Sequence, residues 1–209
     1  MELIKGTLVV AAQGNDFVVL GSDSLGMLGN LGGPIVVGSN RSRKITILSN
    51  HVAVAIFGAA EFGETLLNQF RASGDGVTNV LEEFRIFCRE KWNEWFSGVD
   101  IKNQPLVGFM IAGLDQSESG EYDMPKKYSI VSSLNFAPAL HTYPCACRGI
   151  PSLATFILNE SYREEMSVDE LCELVNSTIS KVAQTDPRIG LPVRIALITP
   201  EEGARMVSD

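Results

Sequence analysis

The sequence predicts an α+β protein in which helices are layered on antiparallel sheets, and three observations predict it. Short apolar strands arrive as two successive hairpins near the N-terminal end. From Glu61 the spacing of apolar residues changes from the alternation of a strand to the 3.6-residue period of a helix. The same succession of blocks then follows again, giving strands, two helices, strands, two helices and a last strand. A parallel α/β chain would instead interleave single strands with single helices.

The elements follow in order. Thr7 to Ala12 and Phe17 to Ser22 are β-rich runs on either side of Gln13-Gly14-Asn15-Asp16, the pattern of a hairpin. Gly26 to Asn40 is glycine-rich and broken by Pro34, so a loop or irregular ribbon is expected. Lys44 to Leu48 and His51 to Phe57 form a second hairpin across Ser49-Asn50, and the two hairpins are expected to begin one antiparallel sheet. Phe62, Leu66, Leu67 and Phe70 recur at helical spacing, and Val77 to Phe96 repeats the pattern with Val80, Leu81, Phe84, Phe87 and Cys88. Leu106 to Leu114 and Tyr128 to Val131 return to strand character, separated by the polar stretch Asp115 to Lys127. Ser152 to Asn159 and Ser167 to Ala183 read as a second helical pair. The latter opens with the S-x-x-E spacing of a capping box at Ser167-Val168-Asp169-Glu170. Val193 to Thr199 is a last apolar strand, and Pro200 to Asp209 a polar tail.

Composition excludes several classes of function. A formal charge of −8, with Arg41-Ser42-Arg43-Lys44 as the one dense basic spot, speaks against a nucleic-acid partner, which needs a concentrated basic face. The long apolar runs, Thr7 to Ala12 and Val52 to Ala60, fall short of the roughly 20 residues of a bilayer-spanning helix, so no membrane partner is expected. Met1 to Gly6 lacks the apolar core of a signal peptide, and four cysteines then read as free thiols in a reducing cytoplasm. Cys145-Ala146-Cys147 has no second ligand pair nearby, so strand packing is expected there rather than a metal. Neither a metal nor an organic cofactor is implied.

The chemistry begins at Gly6-Thr7. A chain cut after Gly6 would start with a threonine carrying both a hydroxyl and a free α-amine. The amine, with an ordinary pKa near 8, can take the hydroxyl proton directly or through water, so one residue is nucleophile and base. No histidine is needed, which suits a chain whose two are His51 and His141.

Around that dipeptide the sequence resembles the β-type subunits of proteasomes, N-terminal nucleophile hydrolases of the threonine peptidase class, across nearly its whole length. In that family a short propeptide ends in glycine before the catalytic threonine, matched by Gly6-Thr7. An aspartate follows an apolar run at a fixed separation, matched by Val18-Val19-Leu20-Gly21-Ser22-Asp23. A lysine precedes an apolar residue at a strand start, matched by Lys44-Ile45, and beyond it a glycine amide contributes to the oxyanion hole, matched by Gly58. A supporting aspartate follows the last long helix, matched by Asp186. The resemblance implies a four-layer α/β/β/α sandwich of two antiparallel sheets flanked by helix pairs. It also implies a propeptide over residues 1–6, a single domain over 7–209, and assembly into a ring. The substrate would be a peptide or unfolded protein, with Ile56 lining the pocket beside the scissile bond, Ala60 at its side, and Met27 starting the edge along which an extended peptide lies.

Each role has an independent reason. Positive charge on Lys44 favours the deprotonated hydroxyl and amine beside it. A partly buried lysine needs a counter-charge such as Asp23. A tetrahedral intermediate needs fixed backbone donors, and glycine lets substrate approach closely. Asp186 is expected to orient the α-amine or hydroxyl of Thr7. The chain departs from the family at Leu25, where an arginine is usual, and at Ile189, where a serine is usual. It also departs at Leu191, where a second glycine is common, and at Pro151, where a serine is expected and Ser152 lies alongside. Two alternatives stay open: a ring subunit that never frees Thr7, and a related amidase or peptide ligase, since an acyl-enzyme can pass to an amine as well as to water. Ser22-Asp23-Ser24-Leu25 also resembles the GDSL block of esterases, with Ser24 as nucleophile, but no late histidine follows His141 to act as base.

Overall fold

The computed structural model describes residues 7–28, 36–39 and 42–208. Two five-stranded antiparallel sheets stack face to face, and each carries a pair of helices on its outer side. This is the four-layer α/β/β/α sandwich. The first sheet contains β1 (Leu8–Gln13), β2 (Val18–Ser22), β10 (Cys145–Gly149), β11 (Arg194–Thr199) and β12 (Gly203–Ser208), in the order β10-β1-β2-β11-β12. The second runs in sequence order through β5 (Ile45–Ser49), β6 (Val52–Gly58), β7 (Val107–Gln116), β8 (Tyr122–Val131) and β9 (Ala139–Leu140). A separate ribbon of β3 (Gly26–Leu28) and β4 (Val36–Ser39) lies within the glycine-rich stretch.

Three apolar layers hold the sandwich together. Alternation along each strand sends one set of side chains inward and the other toward the helices. On β1, Val9 and Ala11 meet the opposite sheet while Leu8, Val10 and Ala12 pack under α3 (Ser152–Ser161) and α4 (Val168–Thr185). On β6, Ala53, Ala55 and Phe57 face inward while Val52, Val54 and Ile56 pack under α1 (Ala60–Gln69) and α2 (Val77–Trp95). A fully buried Leu, Ile or Val contributes on the order of 1.5–3 kcal/mol, so all three layers matter.

Local chemistry sets the helix ends. Ser167 accepts a bond from the Glu170 amide, and the Glu170 carboxylate accepts one from the Ser167 amide, completing the expected capping box of α4. The first turn of α2 is capped from outside its own chain segment, by the Asp115 carboxylate of β7 accepting from the Thr78 amide at 2.9 Å. The turn between β5 and β6 is held by Asp75, which accepts from the His51 amide at 3.1 Å and from His51 Nδ1 at 2.7 Å.

Three expectations need correction. The two N-terminal hairpins do not share a sheet: β1 and β2 belong to the first, β5 and β6 to the second. The polar stretch Asp115 to Lys127 is largely a continuation of β7 and β8, whose register runs out to Gln116 opposite Tyr122, with Lys126 Nζ 2.8 Å from the Asp115 carboxylate. The polar tail carries the edge strand β12, paired to β11.

Candidate active site

Thr7 stands just before β1, and the turn after β10 fixes it. The Ile150 amide donates to the Thr7 carbonyl at 2.9 Å. Gly149 lies at φ +92, and a Cβ there would come within 1.9 Å of the Thr7 carbonyl oxygen. That position therefore requires glycine on two counts.

Asp23 follows β2 and is fully buried. Its Oδ1 accepts from the Leu8 amide at 3.0 Å, and its Oδ2 from the amides of Leu25 at 3.1 Å and Gly190 at 3.2 Å. Lys44, at the entry to β5, is 2% exposed and donates to Asp23 Oδ1 at 2.7 Å and to Thr7 Oγ1 at 3.2 Å. Burial pushes the Lys44 ammonium below its ordinary pKa, against the opposing pull of the Asp23 charge and hydrogen bond. The result is a buried chain from carboxylate to ammonium to hydroxyl. Its members come from both sheets, with Thr7 and Asp23 on one and Lys44 on the other.

Gly58 ends β6 at φ +87, where a Cβ would approach the Leu106 carbonyl oxygen to 2.4 Å. The Ile56 amide donates to the Lys44 carbonyl at 2.9 Å, toward β5. Strand alternation turns the Gly58 amide to that same edge of β6. Ile56 is fully buried against Gly63 of α1, and Ala60 opens that helix half-buried. Met27 lies in β3 by its backbone, while Gly6, and with it the Gly6-Thr7 junction, falls outside the described residues.

Asp186 is not gathered into this chain. It ends α4, and its carboxylate is taken by Arg188: Oδ1 accepts from the Arg188 amide at 3.0 Å and from Nε at 2.9 Å, and Oδ2 from an outer guanidinium nitrogen at 2.6 Å. That clamp holds the Asp186 carboxyl below the usual carboxylate range. Residue patterns gave no signal for Gly190, whose amide is one of the Asp23 donors. A backbone amide leaves no mark in a sequence beyond the freedom of the residue bearing it. Leu25 packs on Gly190, where an added Cβ would lie 2.6 Å from the Leu25 Cβ, and Ile189 is buried in the core under α3 and α4.

Neither histidine joins Thr7. His51 is bonded to Asp75 and His141 Nε2 is 3.1 Å from Ser129 Oγ, with burial and the charges of Arg148 and Lys127 pushing His141 down to about 4. Ser24 donates its amide to the Gly190 carbonyl. Among the described residues no group of three His, Cys, Asp or Glu side chains gathers as a metal site, and no helix is long and apolar enough to cross a membrane. A cavity of about 510 Å³ lies at the opposite end of β6, between the β5–β6 and β11–β12 turns, and shares no lining residue with the Thr7 group.

No protein-family model matches the chain. Among curated proteins it is similar to a proteasome subunit beta of Methanopyrus kandleri, 23% identical over 207 residues that cover 98% of this chain and 92% of that protein. It is likewise similar to proteasome subunit beta 1 of Caldivirga maquilingensis, 24% identical over 98% of this chain and 94% of that one. Proteasome subunit beta 2 of Aeropyrum pernix is 26% identical over 94% and 84%. The chain is thus similar to proteasome β subunits over nearly its whole length.

Proposed function

We propose that this chain is a proteasome-like threonine peptidase that frees Thr7 by cutting its own backbone after Gly6 and hydrolyses peptide bonds through an acyl-enzyme on Thr7. The observation that carries the reading is the buried Lys44 ammonium held between the Asp23 carboxylate and the Thr7 hydroxyl. Lys44 has no structural need to be there: an apolar residue would fill the space without the cost of burying a charge.

In the freed form the Thr7 α-amine accepts the hydroxyl proton, and Oγ1 attacks the substrate carbonyl to form a tetrahedral oxyanion. The Lys44 charge favours the deprotonated hydroxyl, and the Gly58 amide faces the edge where the oxyanion would form. Collapse expels the amine half of the substrate, which takes the proton from the Thr7 ammonium, and water then releases the acyl group by the same route. Ile56 and Ala60 are uncharged, so an apolar residue before the scissile bond fits best. The substrate is a peptide or unfolded protein laid against β3 from Met27, and the working form is a cytoplasmic ring of like subunits.

One observation favours a second reading, a ring subunit that keeps the fold without unmasking Thr7: Asp186 is committed to Arg188 and does not reach Thr7. Intact-mass measurement combined with hydrolysis of a fluorogenic peptide ending in an apolar residue decides between them. The peptidase reading expects loss of residues 1–6 and peptide turnover, both abolished by Thr7→Ala. A chain that keeps all six residues and cleaves nothing, alone or mixed with its ring partners, overturns it.

A further inference from the structure

Among the described residues the Asp23 carboxylate takes four hydrogen bonds, and one of them comes from far along the chain. The Gly190 amide donates to Oδ2 at 3.2 Å, and the Gly190 carbonyl accepts from the Ser24 amide, also at 3.2 Å. The segment that presents Gly190 starts at Asp186, where α4 stops. Between them, Asp186 and Arg188 close a ring of contacts. The Arg188 amide and guanidinium both donate to the Asp186 carboxylate, and the Ile189 amide donates to the Asp186 carbonyl at 3.0 Å. A two-pronged Arg–carboxylate contact fixes orientation as well as distance. Leu25 presses on Gly190 from the other side and brings packing but no charge.

We propose that Arg188 is a positioning residue for the Thr7 site: by clamping Asp186 it sets the turn from 186 to 190, and through the Gly190 amide it holds Asp23 in register with Lys44. The inference rests on the peptidase reading for its catalytic consequence and on geometry alone for the coupling. Asp186 thereby acts on the site indirectly, through the backbone turn, rather than by touching Thr7.

The test uses the full chain in its assembled state and reads two quantities, peptide turnover and amide hydrogen exchange. Arg188→Ala is expected to lower kcat about tenfold with KM nearly unchanged, and to speed exchange at Gly190 and Leu25, the two amides on Asp23 Oδ2. Arg188→Lys should recover part of the turnover. Arg205→Ala, which removes an exposed arginine paired with Glu202 on the far edge strand, should change neither quantity. Unchanged exchange at Gly190 in Arg188→Ala overturns the coupling. Faster exchange with unchanged turnover overturns the positioning role. If the wild-type chain itself turns over no peptide, the peptidase reading has failed, and the exchange measurement still decides the coupling.

Discussion

Lys44 carries its charge where water does not reach, and the consequences can be worked out with signs. Its folded pKa lies below the ordinary 10.5 because desolvation outweighs the attraction of Asp23. The unfolded chain therefore holds the Lys44 proton to higher pH than the folded chain does. Between the two values the unfolded state binds more protons, so stability rises with pH across that window. Below the folded value both states are charged and the burial cost stands in full. Denaturant midpoints measured upward from neutral pH should show this rise in the wild type and lose it in Lys44→Met. Catalysis runs the other way over the same range, because the proposed role of Lys44 needs its charge. Peptide turnover should climb as the Thr7 α-amine, ordinarily near 8, is deprotonated, and then fall as Lys44 discharges below 10.5. A plateau that persists past pH 10.5 would remove Lys44 from the role proposed for it.

Among the elements, two kinds of residue do different work, and substitution separates them. The capping box at Ser167 supports α4 on the outer layer, far in sequence from the Thr7 group; Ser167→Ala should cost about 1 kcal/mol in unfolding free energy and leave turnover per folded molecule unchanged. Gly149→Ala strikes the turn that holds the Thr7 carbonyl. Its Cβ would collide with that backbone, so turnover and self-cleavage should be lost even where the variant still folds. The same contrast explains what was legible in the sequence. The capping box, the helical periods under Leu66 and Val175, and the apolar runs of β1, β2, β6 and β11 are each written in neighbouring residues. β12 and the outer half of the β7–β8 hairpin were not legible, because strand segments that meet water carry polar side chains such as Arg205 and Lys126 in place of an alternating apolar face. The spacing of Thr7, Asp23 and Lys44 foreshadowed that these three side chains meet. The placement of Asp186 was not legible because spacing along the chain does not show that the Arg188 guanidinium two residues on takes its carboxylate.

At the scale of the whole molecule the site is a seam between two sheets, so the distance from Lys44 to Thr7 is set by how closely those sheets pack. Alanines on both sides line the layer between them: Ala11, Ala146 and Ala196 from the first sheet, and Ala53, Ala55 and Ala112 from the second. Which hairpin joins which sheet could not be read locally, because β1 finds β10 and β2 finds β11 across more than a hundred residues of chain. Small residues at this layer let the backbones approach, and a larger side chain must push them apart or leave its rotamer. Ala11→Leu should therefore cost only about 1–3 kcal/mol of stability yet lower turnover by roughly a hundredfold, since a misplacement near 1 Å is enough for that loss. Leu171→Ala empties space in the outer layer under α4 and should cost more stability, about 2–5 kcal/mol, while turnover per folded molecule stays within a few-fold of the wild type. Denaturant unfolding and single-turnover peptide cleavage on the same samples check the pair. If turnover instead follows stability in rank order, the spacing of the sheets is not what holds the lysine against the threonine.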